Sequence, residues 1–130
     1  MTSDDAAPGM AAKVVNVDQG FAQFSEHWRP KVVAELNGQE LKLVKICGEF
    51  PWHQHEIDEM FMGWRGHFRL EFRDRSFELG PGDLIVVPRG VEHRPVAETE
   101  AEIFLFEPSG TRNTGNIVDE VYTAPDGVRL

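Results

Sequence analysis

Glycine and proline punctuation, more than any apolar stretch, limits what this chain can become. Asn37-Gly38, Gly66, Asp74, Gly80-Pro81-Gly82, Pro88-Arg89-Gly90 and Pro108-Ser109-Gly110 cut the sequence into runs too short for ordinary helices. Asn37-Gly38 is the strongest of these signals, because a tight hairpin turn needs positive φ at both central residues and Asn and Gly tolerate it. It predicts a hairpin between Lys31–Leu36 and Gln39–Ile46. Further extended runs follow at Glu59–Arg65, His67–Arg73, Arg75–Leu79, Leu84–Val87, Arg94–Ala97 and Glu102–Glu107, with Val118–Thr123 as the last. His67–Arg73 alternates most cleanly, with Phe68, Leu70 and Phe72 on one face. Short strands at this spacing predict an all-β sandwich or barrel rather than βαβ units. Ahead of them, Asp18 is expected to cap a short helix over Gln19–Phe24 that places Phe21 and Phe24 on one face, and Pro30 ends any helical reading.

The remaining bounds come from size and charge. At 130 residues the chain has room for one core. Residues 1–12 are small, polar and acidic and are expected to form a disordered leader, leaving 13–130 as the folded domain. With 13 basic and 22 acidic residues the net charge is −9, which disfavours nucleic acid as a partner. The single Cys47 forbids an intrachain disulfide and fits a reducing compartment. No apolar run reaches the roughly 18 residues of a membrane span. Asp4 and Asp5 occupy an N-terminus without the basic and apolar regions of a signal peptide. A cytoplasmic location, with neither membrane nor nucleic acid as partner, is the expectation.

The chemistry concentrates in Trp52-His53-Gln54-His55-Glu56-Ile57-Asp58-Glu59. His53 and His55 are two apart, so a strand puts both imidazoles on the same face, and Glu59 shares their parity. His93 follows the Pro88-Arg89-Gly90 turn. Three imidazoles and one carboxylate converging inside a barrel make a divalent-metal site. Burying them without a shared cation would be costly. The set contains no thiolate, which leaves Fe, Mn, Ni, Co, Cu or Zn.

These residues resemble the two motifs of the cupin superfamily. The first reads Gly48, four residues, His53-Gln54-His55, three residues, Glu59, six residues, Gly66, one residue short of the usual gap after the first glycine. The second reads Gly82, five residues, Pro88-Arg89-Gly90, two residues, His93, with Ala97 where an asparagine is usual. The resemblance implies a double-stranded β-helix (jelly-roll) barrel, with His53, His55, Glu59 and His93 as metal ligands. Many small bacterial proteins of this kind have no assigned reaction, so the likeness speaks to fold and ligands far more than to a reaction.

Around the motif, Phe50, Trp52 and Phe61 are candidate pocket walls, and Phe61 has the parity of Glu59. Lys45 shares parity with Leu41 and Leu43 and is a candidate cation at the barrel mouth, against the plainer reading of a lysine snorkelling at an edge. His67 and His27 read as surface and packing residues, Glu56 and Asp58 as a solvated turn, and Cys47 as a small buried residue. Gly110 to Gly115 has the glycine spacing of a phosphate loop but lacks the following Lys-Ser/Thr, which rejects that reading. The functional expectation is a metal-binding protein acting on a small oxygen-bearing organic substrate by oxygenase-like or isomerase/lyase-like chemistry. The alternative is a non-catalytic ligand-binding or storage barrel with a structural metal. The apolar excess over Leu41–Ile46 predicts a homodimer.

Overall fold

Asn37 and Gly38 turn the chain with φ of 53° and 78°, so the first hairpin closes where the dipeptide predicts. The computed structural model describes residues 12–130, and the expected leader, apart from Ala12, lies outside them. Strand β1 is Lys31–Leu36 and β2 is Gln39–Glu49, three residues longer than the sequence suggests. Then come β3 (Glu59–Arg65), β4 (Phe68–Phe72), β5 (Ser76–Leu79), β6 (Leu84–Val87) and β7 (His93–Pro108). All seven join in one antiparallel sheet with the path β1-β2-β7-β3-β6, and β4 pairs with both β5 and β7. Rolled up, this is the expected all-β jelly-roll barrel.

The main departure is β7. Arg94–Ala97 and Glu102–Glu107 are one 16-residue strand, not two. Its first half pairs with β4 (Phe72↔His93 to Arg69↔Val96) and its second half with β2 and β3. Exposed Glu98, Thr99 and Glu100 form the corner between the halves, where the β2 register jumps from Ile46↔Ala101 to Gly48↔Ala97. A local bulge thus carries the chain across the barrel without a loop. Val118–Thr123 is not a strand. Asp119 Oδ1 accepts from the N–H groups of Val121 and Tyr122, and Thr123 Oγ1 accepts from Asp119 N–H, so side chains draw this segment into turns.

The helix is also displaced from its expected position. Helix α1 is Val17–Phe21, and its cap is Asn16, whose Oδ1 accepts from Gln19 N–H at 2.9 Å. Asp18 instead faces β3, accepting from Trp64 Nε1 and Arg65. Phe21 and Phe24 do share a face, with ring centroids 6.1 Å apart.

Two apolar layers result. Inside the barrel, Val44, Ile46, Phe61, Phe68, Leu70, Leu79, Val87, Ile103 and Leu105 form the core. Outside the sheet, α1 and the turn after it lay Phe21 and Phe24 over Val33, Leu43 and Phe104. Full burial of Phe21 alone is worth about 2 kcal/mol. No helix among the described residues is long and apolar enough to cross a membrane.

Candidate metal centre

Two distant segments meet face to face at one end of the barrel. His53 N–H donates to His93 O at 3.1 Å, and His93 N–H returns the bond to His53 O at 2.9 Å. Gly90 N–H donates to His55 O at 2.8 Å. Asp58 Oδ1 accepts from Arg89 N–H at 2.9 Å. The Pro88-Arg89-Gly90 turn is thereby tied to the loop before β3, so His53, His55, Glu59 and His93 are set on one framework. Asp58 belongs to this tie and not to the ligand set. The C-terminal segment adds a second tie: Gln54 N–H donates to Asn116 Oδ1 and Asn116 N–H to Gln54 O. Gly115 passes so close that a Cβ there would fall 2.1 Å from Gln54 O and 3.2 Å from His53 Cδ2, so only glycine fits.

His53, His55, Glu59 and His93 are all buried, and one ligand atom from each lies within 4.8 Å of all the others. The imidazoles are oriented for that role. His53 Nδ1 pairs with Pro51 O at 2.9 Å and His93 Nδ1 with Val91 O at 2.8 Å. A carbonyl only accepts, so Nδ1 carries a proton on both rings and Nε2 is the nitrogen left to face the cluster. His93 Nε2 lies 3.2 Å from Glu59 Oε1, and His55 Nε2 lies 3.4 Å from the same oxygen. His55 Nε2 nevertheless has no hydrogen-bond partner, although it is fully buried. Such an orphaned nitrogen is costly unless something else binds it.

The electrostatics favour ligand forms. Burial, reinforced by the neighbouring His93, pushes the His53 pKa down to about 4, so its imidazole stays neutral. Burial would raise Glu59, but the polar contacts of His55 and His93 outweigh it and hold the carboxyl well below its ordinary range. The cluster is therefore able to hold a divalent cation.

Beside it, Trp28, Phe50, Phe61, Ile103 and Leu105 wall a cavity that reaches His53 and Glu59. It leaves about 30 Å³ for the centre of a water-sized sphere, enough for a water or two. No lysine or arginine lines it. Its remaining polar side chain, Asn113, is occupied: Nδ2 donates to Tyr122 O and Oδ1 accepts from Ala124 N–H. Trp28 holds φ at 64°, a conformation that costs a bulky residue about 1 kcal/mol. It is fixed by an indole N–H bond to Cys47 O and by packing on Phe50 at 4.8 Å.

Phe50 and Phe61 therefore stand where pocket walls were expected, while Trp52 and Lys45 do not line this cavity. Trp52 packs under the guanidinium groups of Arg73 and Arg94, 4.0 and 4.9 Å from its ring. Lys45 points to the outer layer, where Nζ donates to Phe24 O at 2.7 Å and lies 3.9 Å from Glu102. The face shared by Leu41, Leu43 and Lys45 is the outer one, covered by α1, so Lys45 is no cation at the barrel mouth. His67 is exposed, and His27 pairs with Glu100 at the surface.

Three ionic residues near the site escape a reading of the sequence. Glu40, Lys42 and Glu107 are buried on the inner face. Lys42 Nζ lies 3.0 Å from Glu107 Oε1 and 3.8 Å from Glu40 Oε1. Burial and the adjacent Glu59 charge raise the Glu107 carboxyl well above its usual range, against the pull of Lys42. The available signal is the parity of Glu40 and Lys42 with Val44 and Ile46 on the same strand.

A buried three-histidine, one-glutamate cluster inside a rolled antiparallel barrel defines a class of metal-competent β-barrel protein. The chain belongs to the cupin family: the description "Cupin domain" matches residues 42–107, which include all four clustered residues. It is similar to a cupin-2 domain containing protein from Shewanella frigidimarina, with 44% identity, 73% of this chain and 94% of that chain covered, and a TM-score of 0.72. Protein NMB1881 from Neisseria meningitidis is 32% identical over 75% of this chain and 100% of its own, with a TM-score of 0.69. Hydroquinone 1,2-dioxygenase from Sphingomonas sp. TTNP3, with 4-hydroxybenzoate bound, shares the fold at 13% identity and a TM-score of 0.62, covering 70% of this chain and 71% of that one. No functionally curated protein sequence matches the chain.

Proposed function

We propose that this cupin binds a divalent transition metal through His53, His55, Glu59 and His93 and takes a small oxygen-bearing organic molecule beside it, as an enzyme of oxygenase or isomerase/lyase type. The observation that carries the metal reading is the buried, unpartnered His55 Nε2 facing Glu59 and two further imidazoles. A bound ion supplies Lewis acidity or, if redox-active, electron transfer. The chain's own residues supply the rest. Pro51 O and Val91 O fix the imidazole tautomers. Trp28, Phe50 and Phe61 make the wall beside His53 and Glu59 apolar and limit bulk water there. The absence of a lysine or arginine from the cavity lining argues against a strongly anionic ligand there. The dioxygenase likeness supports the fold and leaves the reaction open.

One observation favours a non-catalytic binding or storage role: beyond the ligand set, the cavity offers no free side chain to act as general base. Metal analysis of the purified protein, followed by oxygen-uptake and product assays against neutral and anionic metabolites, separates the two. Stoichiometric metal with turnover supports the enzyme. A compound that raises Tm but is never consumed supports storage. Failure to retain Fe, Mn, Ni, Co, Cu or Zn after loading overturns the metal reading.

A cytoplasmic homodimer completes the proposal. Its supporting surface is not Leu41–Ile46, which α1 covers in part, but the outward pairs Met60↔Val86 and Met62↔Leu84, with Leu84 and Val86 more than half exposed. A monomer mass in sedimentation would remove it.

A further inference from the structure

The barrel interior carries a line of charge that its fold does not need. Glu40 stands opposite Glu107 in the β2–β7 register. Met60 stands opposite Phe106 in the β7–β3 register, which brings Glu59 up beside Glu107. Three carboxyl groups thus lie in a row across three adjacent strands, on the same face as Val44, Ile46, Phe61 and Leu105. Lys42 Nζ lies among them, 3.0 Å from Glu107 and 3.8 Å from Glu40, and Glu40 Oε2 is also 3.8 Å from the guanidinium of Arg129. Glu40, Lys42, Glu59 and Glu107 are each at most 3% exposed, and Glu40 Oε1 and Glu107 Oε2 have no hydrogen-bond partner.

Replacing such a buried ionic group with apolar residues is commonly neutral or stabilising, so stability alone does not account for it. Its inner end is Glu59, whose Oε1 already faces His55 and His93. A carboxylate ligand turns about its own side-chain bonds unless a neighbour fixes it, and such outer partners commonly change metal affinity by about 10- to 100-fold.

Resting on the metal reading above, we propose that Glu107, anchored by Lys42, is the positioning residue for Glu59: the buried row holds the ligand carboxylate in the orientation that the three imidazoles require. Lys42 fixes Glu107 from the side away from the cluster, and Glu40 keeps the ammonium from turning elsewhere. Neither Lys42 nor Glu107 touches the metal position. They act through Glu59.

The test uses Co²⁺ as the probe, with affinity from chelator competition, the visible absorption of the loaded protein, and the Tm of the metal-free protein. Glu107→Ala is expected to weaken Co²⁺ binding about 10- to 100-fold and to shift the visible bands. Glu107→Gln keeps the shape and can donate an N–H to Glu59, so it recovers affinity to within about threefold of wild type. Lys42→Met moves affinity and spectrum in the same direction as Glu107→Ala, and it serves as the second probe if Glu107→Ala does not fold. Wild-type affinity and spectrum in the folded Glu107→Ala or Lys42→Met protein overturn the inference, even if Tm has changed. So does a Glu107→Gln protein as weak as Glu107→Ala. Failure of the wild type itself to bind Co²⁺ overturns the metal reading and this inference with it, an outcome recognisable before any variant is made.

Discussion

The two faces of β2 serve opposite ends, the inner buried at every position from Glu40 to Ile46 and the outer fully buried only at Leu43. Leu41, Leu43 and Lys45 point outward, where α1 covers them with Phe21 and Phe24. Glu40, Lys42, Val44 and Ile46 point inward, apolar at one end and ionic at the end near Glu59. The single cation of the outer face reaches the turn after α1, where its ammonium bonds Phe24 O and stands 5.3 Å from the Phe24 ring centroid. Of the inner charges only Glu40 reaches a surface cation, Arg129 at 3.8 Å, while Lys42 and Glu107 pair with each other at 3.0 Å. The outer face therefore supplies packing, and the inner face supplies packing plus the setting of a site.

If that division holds, damage to one face leaves the property served by the other untouched. His93→Ala carries the largest expected effect: metal affinity falls by more than about 100-fold, beyond the range of an outer partner, because an inward-facing imidazole is lost. The metal-free protein keeps its fold, which circular dichroism checks. Leu43→Ala should do the converse. Leu43 is wholly buried under α1, so truncation costs about 3 kcal/mol in a denaturant titration while metal affinity stays at wild type. Weakened metal binding in a folded Leu43→Ala protein would break the comparison.

Acid sharpens it. In the metal-free protein the folded His53 titrates near 4, against 6.5 for an unperturbed histidine, because burial and His93 disfavour its charge. Below pH 6.5 the unfolded chain takes up a proton that the folded chain refuses. Stability therefore falls as pH drops from 6.5 towards 4, by at most about 3 kcal/mol, and this contribution is constant above that window. His53→Gln should flatten the slope. Leu43→Ala should lower the whole curve and leave its shape alone.

What is legible in the sequence follows the same division. The Asn37-Gly38 hairpin and the bounds of β1, β3 and β6 stand where turn chemistry places them, because those signals are local. The four clustered side chains come together as the two-part spacing implies, although His53 and His55 lie in the loop before β3, pinned by the single bridge His53↔His93 and not by a strand's alternation. The facing of β2 is not legible. A strand covered on both sides reads as a nearly continuous apolar run, and its more hydrophobic alternation, Leu41 and Leu43, reads as inward. Glu40 and Lys42 then read as solvated, since nothing in their neighbours announces that Glu107 arrives from the far end of the chain to meet them. Asp18 reads as the cap, but Trp64 and Arg65 on β3 take it away from the helix and Asn16 caps in its place. The merger of two expected strands into β7 depends on a bulge whose cause lies in pairing with β2 and β4.

The smallest expected effect is the most discriminating, because it applies one chemical change to both faces of the same strand. Lys45→Met removes a charge three residues from Lys42. Its ammonium contacts Phe24 O at 2.7 Å and lies 3.9 Å from Glu102, in a largely but not wholly buried setting at the rim of the outer layer. Phe24 O can turn to water beside exposed Ser25 and Glu26, and Glu102 keeps its contact with Arg65. Methionine keeps an apolar side chain of similar length but loses the ammonium that stands 5.3 Å from the Phe24 ring centroid. The loss is thus of the order of one hydrogen bond to a charged group, about 2 kcal/mol, with no change in Co²⁺ affinity or spectrum. Lys42→Met has no solvent to which its partners can turn, so the same loss of charge falls on Glu107 and through it on Glu59. Equal effects of the two substitutions on Co²⁺ binding would mean that long-range charge, and not the inward row, governs the site.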